Sequence, residues 1–204
     1  MTAARLLVVD DEPDLRTLYE LTLLREGYEI DSAGSVAEAL ALLQAGRYSA
    51  VITDMKLPDG SGLALLRRMP SDSVLTTIDT DIRALRAARD TFREAGFETK
   101  RTRTISGAAG LVLPRLTENA YDMVFVDADI ENTADYVIEG ARLLRRGGML
   151  VVNDALHQDL VPQPAQRQEE TVIMREVVRT LRDEPRLSTA LLPTGTGMLL
   201  AVRR

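Results

Sequence analysis

Short apolar runs alternate with segments of helical periodicity along the whole chain, and that alternation restricts it to an α/β fold with a largely parallel sheet and helices on both faces. Leu6–Val9 is a buried-strand run that ends in the acids Asp10 and Asp11. Pro13 opens a helix in which Leu15, Leu18, Leu21 and Leu24 recur until Gly27 stops it. A strand is predicted at Tyr28–Ser32, a helix at Val36–Leu43, a strand at Ala50–Thr53 and a helix at Gly62–Met69, closed by Pro70. The stretch Pro70-Ser71-Asp72-Ser73 reads as a seam.

Beyond it, strands are predicted at Val74–Ile78, Thr102–Ile105, Met123–Val126 and Met149–Val152. Helices are predicted at Ile82–Ala95, Leu111–Leu116, Ala134–Leu144 (capped by Gly147-Gly148) and Glu169–Leu181. Leu187–Leu192 and Met198–Val202 flank Pro193-Thr194-Gly195-Thr196-Gly197 and predict an antiparallel hairpin. Because no helix follows Gly195-Thr196-Gly197, that triplet reads as a hairpin turn and not as a nucleotide loop.

The 204 residues suffice for one good core or two small domains. Without cysteine there is no disulfide, thiolate chemistry or Cys-ligated zinc. A net charge of −6 argues against a nucleic-acid partner, which needs a basic stripe, so Lys100, Arg101 and Arg103 read as solvated surface. No apolar run is long enough for a bilayer and no leader pattern opens the chain, so no membrane partner and a cytoplasmic location, as for a recombinant product, are expected.

Leu6-Leu7-Val8-Val9-Asp10-Asp11-Glu12-Pro13, with Val51-Ile52-Thr53-Asp54-Met55-Lys56-Leu57-Pro58-Asp59-Gly60, resembles the first half of a response-regulator receiver of the nitrogen-response type. Over residues 1–69 the resemblance implies a flavodoxin-like half in which Asp54 is a vestigial phospho-acceptor and Asp10 and Asp11 are metal-binding acids. Acids at strand ends also occur as plain solvated loop residues. The receiver's fourth-strand hydroxyl and fifth-strand lysine should follow. Thr76 or Thr77 could stand for the first, but the only later lysine, Lys100, lies in a polar loop.

Residues 73–204 resemble class I S-adenosylmethionine-dependent O-methyltransferases of the small catechol type, which are Rossmann-like, with the beginning missing. The resemblance places ribose recognition at Asp79 and the adenine turn at Ser106, Gly107 and Ala108. It places magnesium ligands at Asp127, Asn153 and Asp154. Two positions depart from that family. Pro58, which has no N–H, and Asp54 and Asp59 occupy the place of the glycine-rich cofactor loop, and Ile130 stands where the catalytic lysine is usual. His157, the only histidine, is either a substitute base or a solvent-facing loop residue.

Two incomplete signatures in one chain lead to the expectation of an engineered, de novo chimera with no intact natural activity. Residues 1–69 and 70–204 would merge into one doubly wound flavodoxin-like/Rossmann-like domain. The alternatives are an S-adenosylmethionine-dependent O-methyltransferase with an atypical N-terminus and a phospho-accepting receiver module. No cofactor is expected, with S-adenosylmethionine and Mg²⁺ as the two candidates. Leu6–Val9 and Met123–Val126 compete for the position beside Val51–Thr53, and the loser could promote a homodimer by strand exchange or edge pairing.

Overall fold

Apolar residues at alternating positions build a layered α/β structure around three cores. The computed structural model describes residues 5–53, 56–61, 70, 72–193 and 195–204. Its strands are β1 (Arg5–Val9), β2 (Glu29–Ala33), β3 (Ala50–Thr53), β4 (Lys56–Leu57), β5 (Gly60–Ser61), β6 (Leu75–Asp79), β7 (Thr102–Ser106), β8 (Tyr121–Val126), β9 (Leu144–Val152), β10 (Leu187–Leu192) and β11 (Met198–Arg203). Its helices are α1 (Pro13–Arg25), α2 (Val36–Ala45), α3 (Ile82–Glu94), α4 (Ala109–Val112), α5 (Thr133–Leu143) and α6 (Glu169–Asp183).

In place of one doubly wound sheet, the described residues form separate ladders. They are β2-β1-β3 and β6-β7, both parallel, the mixed sheet β10-β11-β9-β8, and the small antiparallel hairpin β4-β5. The contested position goes to Leu6–Val9, which pairs in parallel with β3, whereas β8 pairs with β9. β10 and β11 form the expected antiparallel hairpin.

Strand alternation explains the layering. Leu150 and Val152 of β9, with Leu199 and Ala201 of β11, face α5 and α6 and join Val137, Met174 and Val177 in one core. Their neighbours Met149, Val151, Leu200 and Val202 point the other way and pack on Leu6 and Val8 of β1. Leu7 and Val9 then face Val36 and Ala39 of α2 in a third core. The two larger sheets are also joined where the Tyr28 hydroxyl donates to the Ser188 carbonyl at 3.1 Å. The β8 side chains Met123 and Phe125 stay 43% and 54% exposed, because the β1 layer covers β9 and β11.

Several local expectations need correction. Leu18, Leu21 and Leu24 are exposed, and Leu23 is the buried residue of α1. A three-residue step rotates about 60° short of a full turn, so that spacing spirals around the helix and makes no stripe. Gly147-Gly148 is not a helix cap. α5 stops at Leu143 and β9 begins at Leu144, running through both glycines beside a register shift in the β8 pairing. A Cβ on Gly148 would lie 2.9 Å from both the Arg145 and Tyr121 carbonyl oxygens, so the pair admits a close backbone approach.

Candidate functional site

Parallel strands deliver the side chains that follow them to one edge of a sheet, and here β8 and β9 deliver two acid-bearing segments side by side. Asp127 follows β8, and Asn153 and Asp154 follow β9. The Asn153 N–H donates to the Val126 carbonyl at 3.0 Å, and its side-chain amide donates to Asp127 Oδ1 at 3.0 Å. These three residues line an open cavity of about 410 Å³, together with Asp129, Ile130, Glu131, His157, Glu170 and Met174.

Its polar groups are unevenly satisfied. Asp154 Oδ1 and His157 Nδ1 are both screened from solvent and have no hydrogen-bond partner among the described residues. The imidazole Nδ1 stands 3.7 Å from Asp154 Oδ2, and the His157 side chain is 13% exposed, so it is not the solvent-facing residue considered above. Asp129 is better served. Asn132 and the Tyr136 hydroxyl (2.8 Å) both donate to it, the Asn132 amide foremost holding its carboxyl below the ordinary range. Burial, reinforced by that carboxylate, pushes the Tyr136 phenol up to about 12.

Among the described residues no three carboxylate or imidazole groups converge as a metal cluster. A cation at the cavity would instead be held by two carboxylates and an amide oxygen, from Asp127, Asp154 and Asn153. The unpartnered Asp154 Oδ1 and this all-oxygen set fit a hard divalent ion.

The residues that the resemblance assigns to S-adenosylmethionine sit at the ends of β6 and β7 and just after β7, apart from the cavity lining. Asp79 and Ser106 are register partners at the ends of those strands. The Gly107 N–H donates to the Asp79 carbonyl at 3.0 Å, and Ala108 precedes α4. One Asp79 oxygen accepts from the Asp81 N–H at 2.8 Å. Ile78 packs against the same core that holds Val126.

The other acids are arranged differently. Asp10 is buried, with Oδ1 accepting from the Glu12 N–H at 2.9 Å, and Asp11 is exposed. Asp54 lies outside the described residues. Asp59 does not face a ligand loop: it accepts the Val36 and Ala37 N–H groups at 2.8 and 2.9 Å and so anchors the start of α2. Those N–H groups, Ala37 first, lower its carboxyl pKa.

Sequence reasoning missed Asp129, Glu131 and Glu170 as lining residues. Their convergence is set by the packing of α5 and α6, and nothing local in the sequence signals it.

Residues 37–204 match the O-methyltransferase family. The chain belongs to that family. It is 45% identical over 173 residues to a putative O-methyltransferase of Mycobacterium ulcerans, covering 84% of this chain and 76% of that protein. A putative O-methyltransferase of Mycobacterium avium is 49% identical over 143 residues, covering 70% of this chain and 64% of the relative. Among solved structures, a protein from Corynebacterium glutamicum superposes with a TM-score of 0.66 at 30% identity, over 70% of this chain and 66% of that one. The O-methyltransferase TomG from Streptomyces achromogenes, in complex with S-adenosylmethionine, has a TM-score of 0.63 at 22% identity, over 98% of this chain and 73% of that one. The fold is thus mixed α/β and Rossmann-like, with a mostly parallel sheet and a C-terminal antiparallel hairpin.

These relationships correct the chimera reading. The family match begins at residue 37 and runs through Ala50–Gly60 and across the Pro70–Ser73 seam. Natural mycobacterial relatives are 45% and 49% identical to this chain over the aligned 173 and 143 residues, so it is neither an engineered nor a de novo fusion. The strand-loop unit that resembled a receiver lies within an O-methyltransferase, and a flavodoxin-like hybrid has no support.

Proposed function

We propose that this chain transfers a methyl group from S-adenosylmethionine to a phenolic oxygen, with a divalent cation held by Asp127, Asn153 and Asp154. The observation that carries the reading is the acid-lined cavity at the ends of β8 and β9, in which Asp154 Oδ1 is buried without a partner. When bound, S-adenosylmethionine would supply the methyl group and the cation would stabilise a phenolate. The chain's own residues bind and orient. Asp79 has one oxygen engaged by the Asp81 N–H and the other to offer the ribose hydroxyls. Ser106, Gly107 and Ala108 would frame the cofactor's base. His157, which lines the cavity where the lysine's position is filled by Ile130, is the side chain placed to take the phenolic proton.

The lining also selects substrate. Asp127, Asp129, Glu131, Asp154 and Glu170 face the cavity and, among the described residues, no lysine or arginine does, so a neutral or cationic phenol is favoured over a polyanionic thioester. Pro58 lacks an N–H and Asp59 is committed to α2, so the turn between β4 and β5 offers little to the cofactor's methionine end. Among the described residues, cofactor affinity then rests on Asp79 and residues 106–108.

Titration calorimetry with S-adenosylmethionine tests this placement. The wild type should bind, and Asp79→Ala should weaken binding by roughly tenfold or more, the loss of charge-assisted hydrogen bonds. Equal affinity in the two proteins would remove Asp79 from the cofactor site.

A further inference from the structure

We propose that Arg175 and Gly197 are positioning residues that hold the loop of residues 153–168 in the conformation presenting Asp154 and His157 to the cavity. This rests on the reading of that cavity as the methyl-transfer site. Neither Arg175 nor Gly197 lines it.

The loop joins β9 to α6 without a ladder of its own. Asp154, His157, Gln158 and Asp159 all adopt left-handed backbone, with φ of 53°, 44°, 53° and 61°. None is glycine, and such conformations persist only where the surroundings impose them. Two anchors do so here.

The first is the turn between β10 and β11. The Ala155 N–H donates to the Gly197 carbonyl at 2.9 Å and the Leu156 N–H to the Thr196 carbonyl at 3.0 Å. Gly197 itself has φ +88°, and a Cβ there would fall 2.5 Å from Leu156 Cγ and 2.7 Å from Leu156 N. The loop therefore rests on the bare backbone of this glycine, between the two site residues Asp154 and His157.

The second anchor is Arg175 on α6. Its Nε donates to the Val161 carbonyl at 2.9 Å and Nη1 to Gln166 at 3.0 Å. Nη2 donates to Gln163 at 2.7 Å and to Leu160 at 3.3 Å. One guanidinium thus gathers four carbonyls of the loop's far half. A lysine cannot copy this, since its ammonium is a single point with no planar fork.

Because His157 is the only histidine, its imidazole Hε1 gives a single NMR signal that reports on the loop directly. Arg175→Met, Arg175→Lys and Gly197→Ala are compared with the wild type at one fixed pH, with thermal melts recorded by circular dichroism. All three variants should shift that signal toward a free imidazole, and lysine should not rescue. Added Mn²⁺ should broaden the wild-type signal, and the variants should bind it about 10-fold to 100-fold more weakly, as when outer residues that orient metal ligands are lost.

Superposition of the variant signals on the wild type would overturn the proposal. If Gly197→Ala does not fold, the two Arg175 variants decide the outcome. Absence of Mn²⁺ broadening in the wild type would instead count against the cation reading, while the shift of the signal still decides the positioning role.

Discussion

Acids follow parallel strands in more than one region of this molecule, and after β1 and after β8 and β9 their oxygens are satisfied differently. After β1, Asp10 turns back on its own chain to accept the Glu12 N–H, and Asp11 remains in solvent. After β8 and β9, Asp127, Asn153 and Asp154 line an open cavity together with His157 of the loop of residues 153–168. The first arrangement satisfies its carboxylate locally and leaves nothing for a ligand. The second leaves a buried oxygen without a partner. A strand-end carboxylate becomes a candidate ligand when an oxygen is left without a partner and not through its position alone.

The strongest way to break this contrast is to remove one acid from each region. Asp154→Ala should lower kcat/KM for methyl transfer by about a thousandfold, roughly 4 kcal/mol of transition-state stabilisation. Asp10→Ala should change it by less than about threefold and cost only about 1 kcal/mol of stability, the worth of one hydrogen bond. Steady-state kinetics and urea unfolding check both values, and similar activity losses would erase the distinction.

Next in size is the packing that joins the regions. Leu200 is fully buried between the β11 face and the β1 layer. Leu200→Ala should destabilise the protein by about 3 kcal/mol, the usual cost of a core cavity. Denaturant unfolding should show a single transition if the layers fold as a unit, whereas two transitions would make them independent.

A smaller effect concerns pH. The Asn132 amide, with the Tyr136 hydroxyl, holds the Asp129 carboxyl below its ordinary value. A depressed carboxyl stabilises the fold fully above the ordinary carboxylate pKa of about 4, and that contribution is lost as pH falls through the depressed value. Melting temperature should fall less steeply below about pH 4 in Asp129→Asn than in the wild type. Parallel acid limbs in the two proteins would contradict the assignment.

The least effect is expected at β8, whose outer face exposes Met123 and Phe125. Light scattering should detect weak self-association at high concentration that Phe125→Ser reduces. A strict monomer in both proteins would exclude this face as a contact.

Much of the scaffold was legible because each element carries its own signal. Leu6–Val9 and Leu187–Leu192 are apolar runs of strand length, and Gly27 and Gly96 stop the first and third helices with φ of 87° and 79°. The β8 and β9 site residues were legible as acids and an amide directly after predicted strands. The cavity was not, because its loop takes left-handed conformations at Asp154, His157 and Gln158 that no local glycine advertises. Arg175 was equally silent, since an arginine mid-helix gives no sign that it will serve four distant carbonyls. The receiver resemblance misled for a physical reason. A strand, an acid and a loop before a helix form a unit common to receiver and methyltransferase folds, so that short motif could not choose between them.

Transfer of a labelled methyl group tests the central claim most directly. The wild-type protein is incubated with methyl-labelled S-adenosylmethionine and a catechol, with Mg²⁺ or with EDTA. Label should pass to the catechol oxygen only in the presence of Mg²⁺, and Asp154→Ala should slow the transfer by about a thousandfold. Undiminished transfer in EDTA, or by Asp154→Ala, would contradict a cation-assisted methyltransferase site at the ends of β8 and β9.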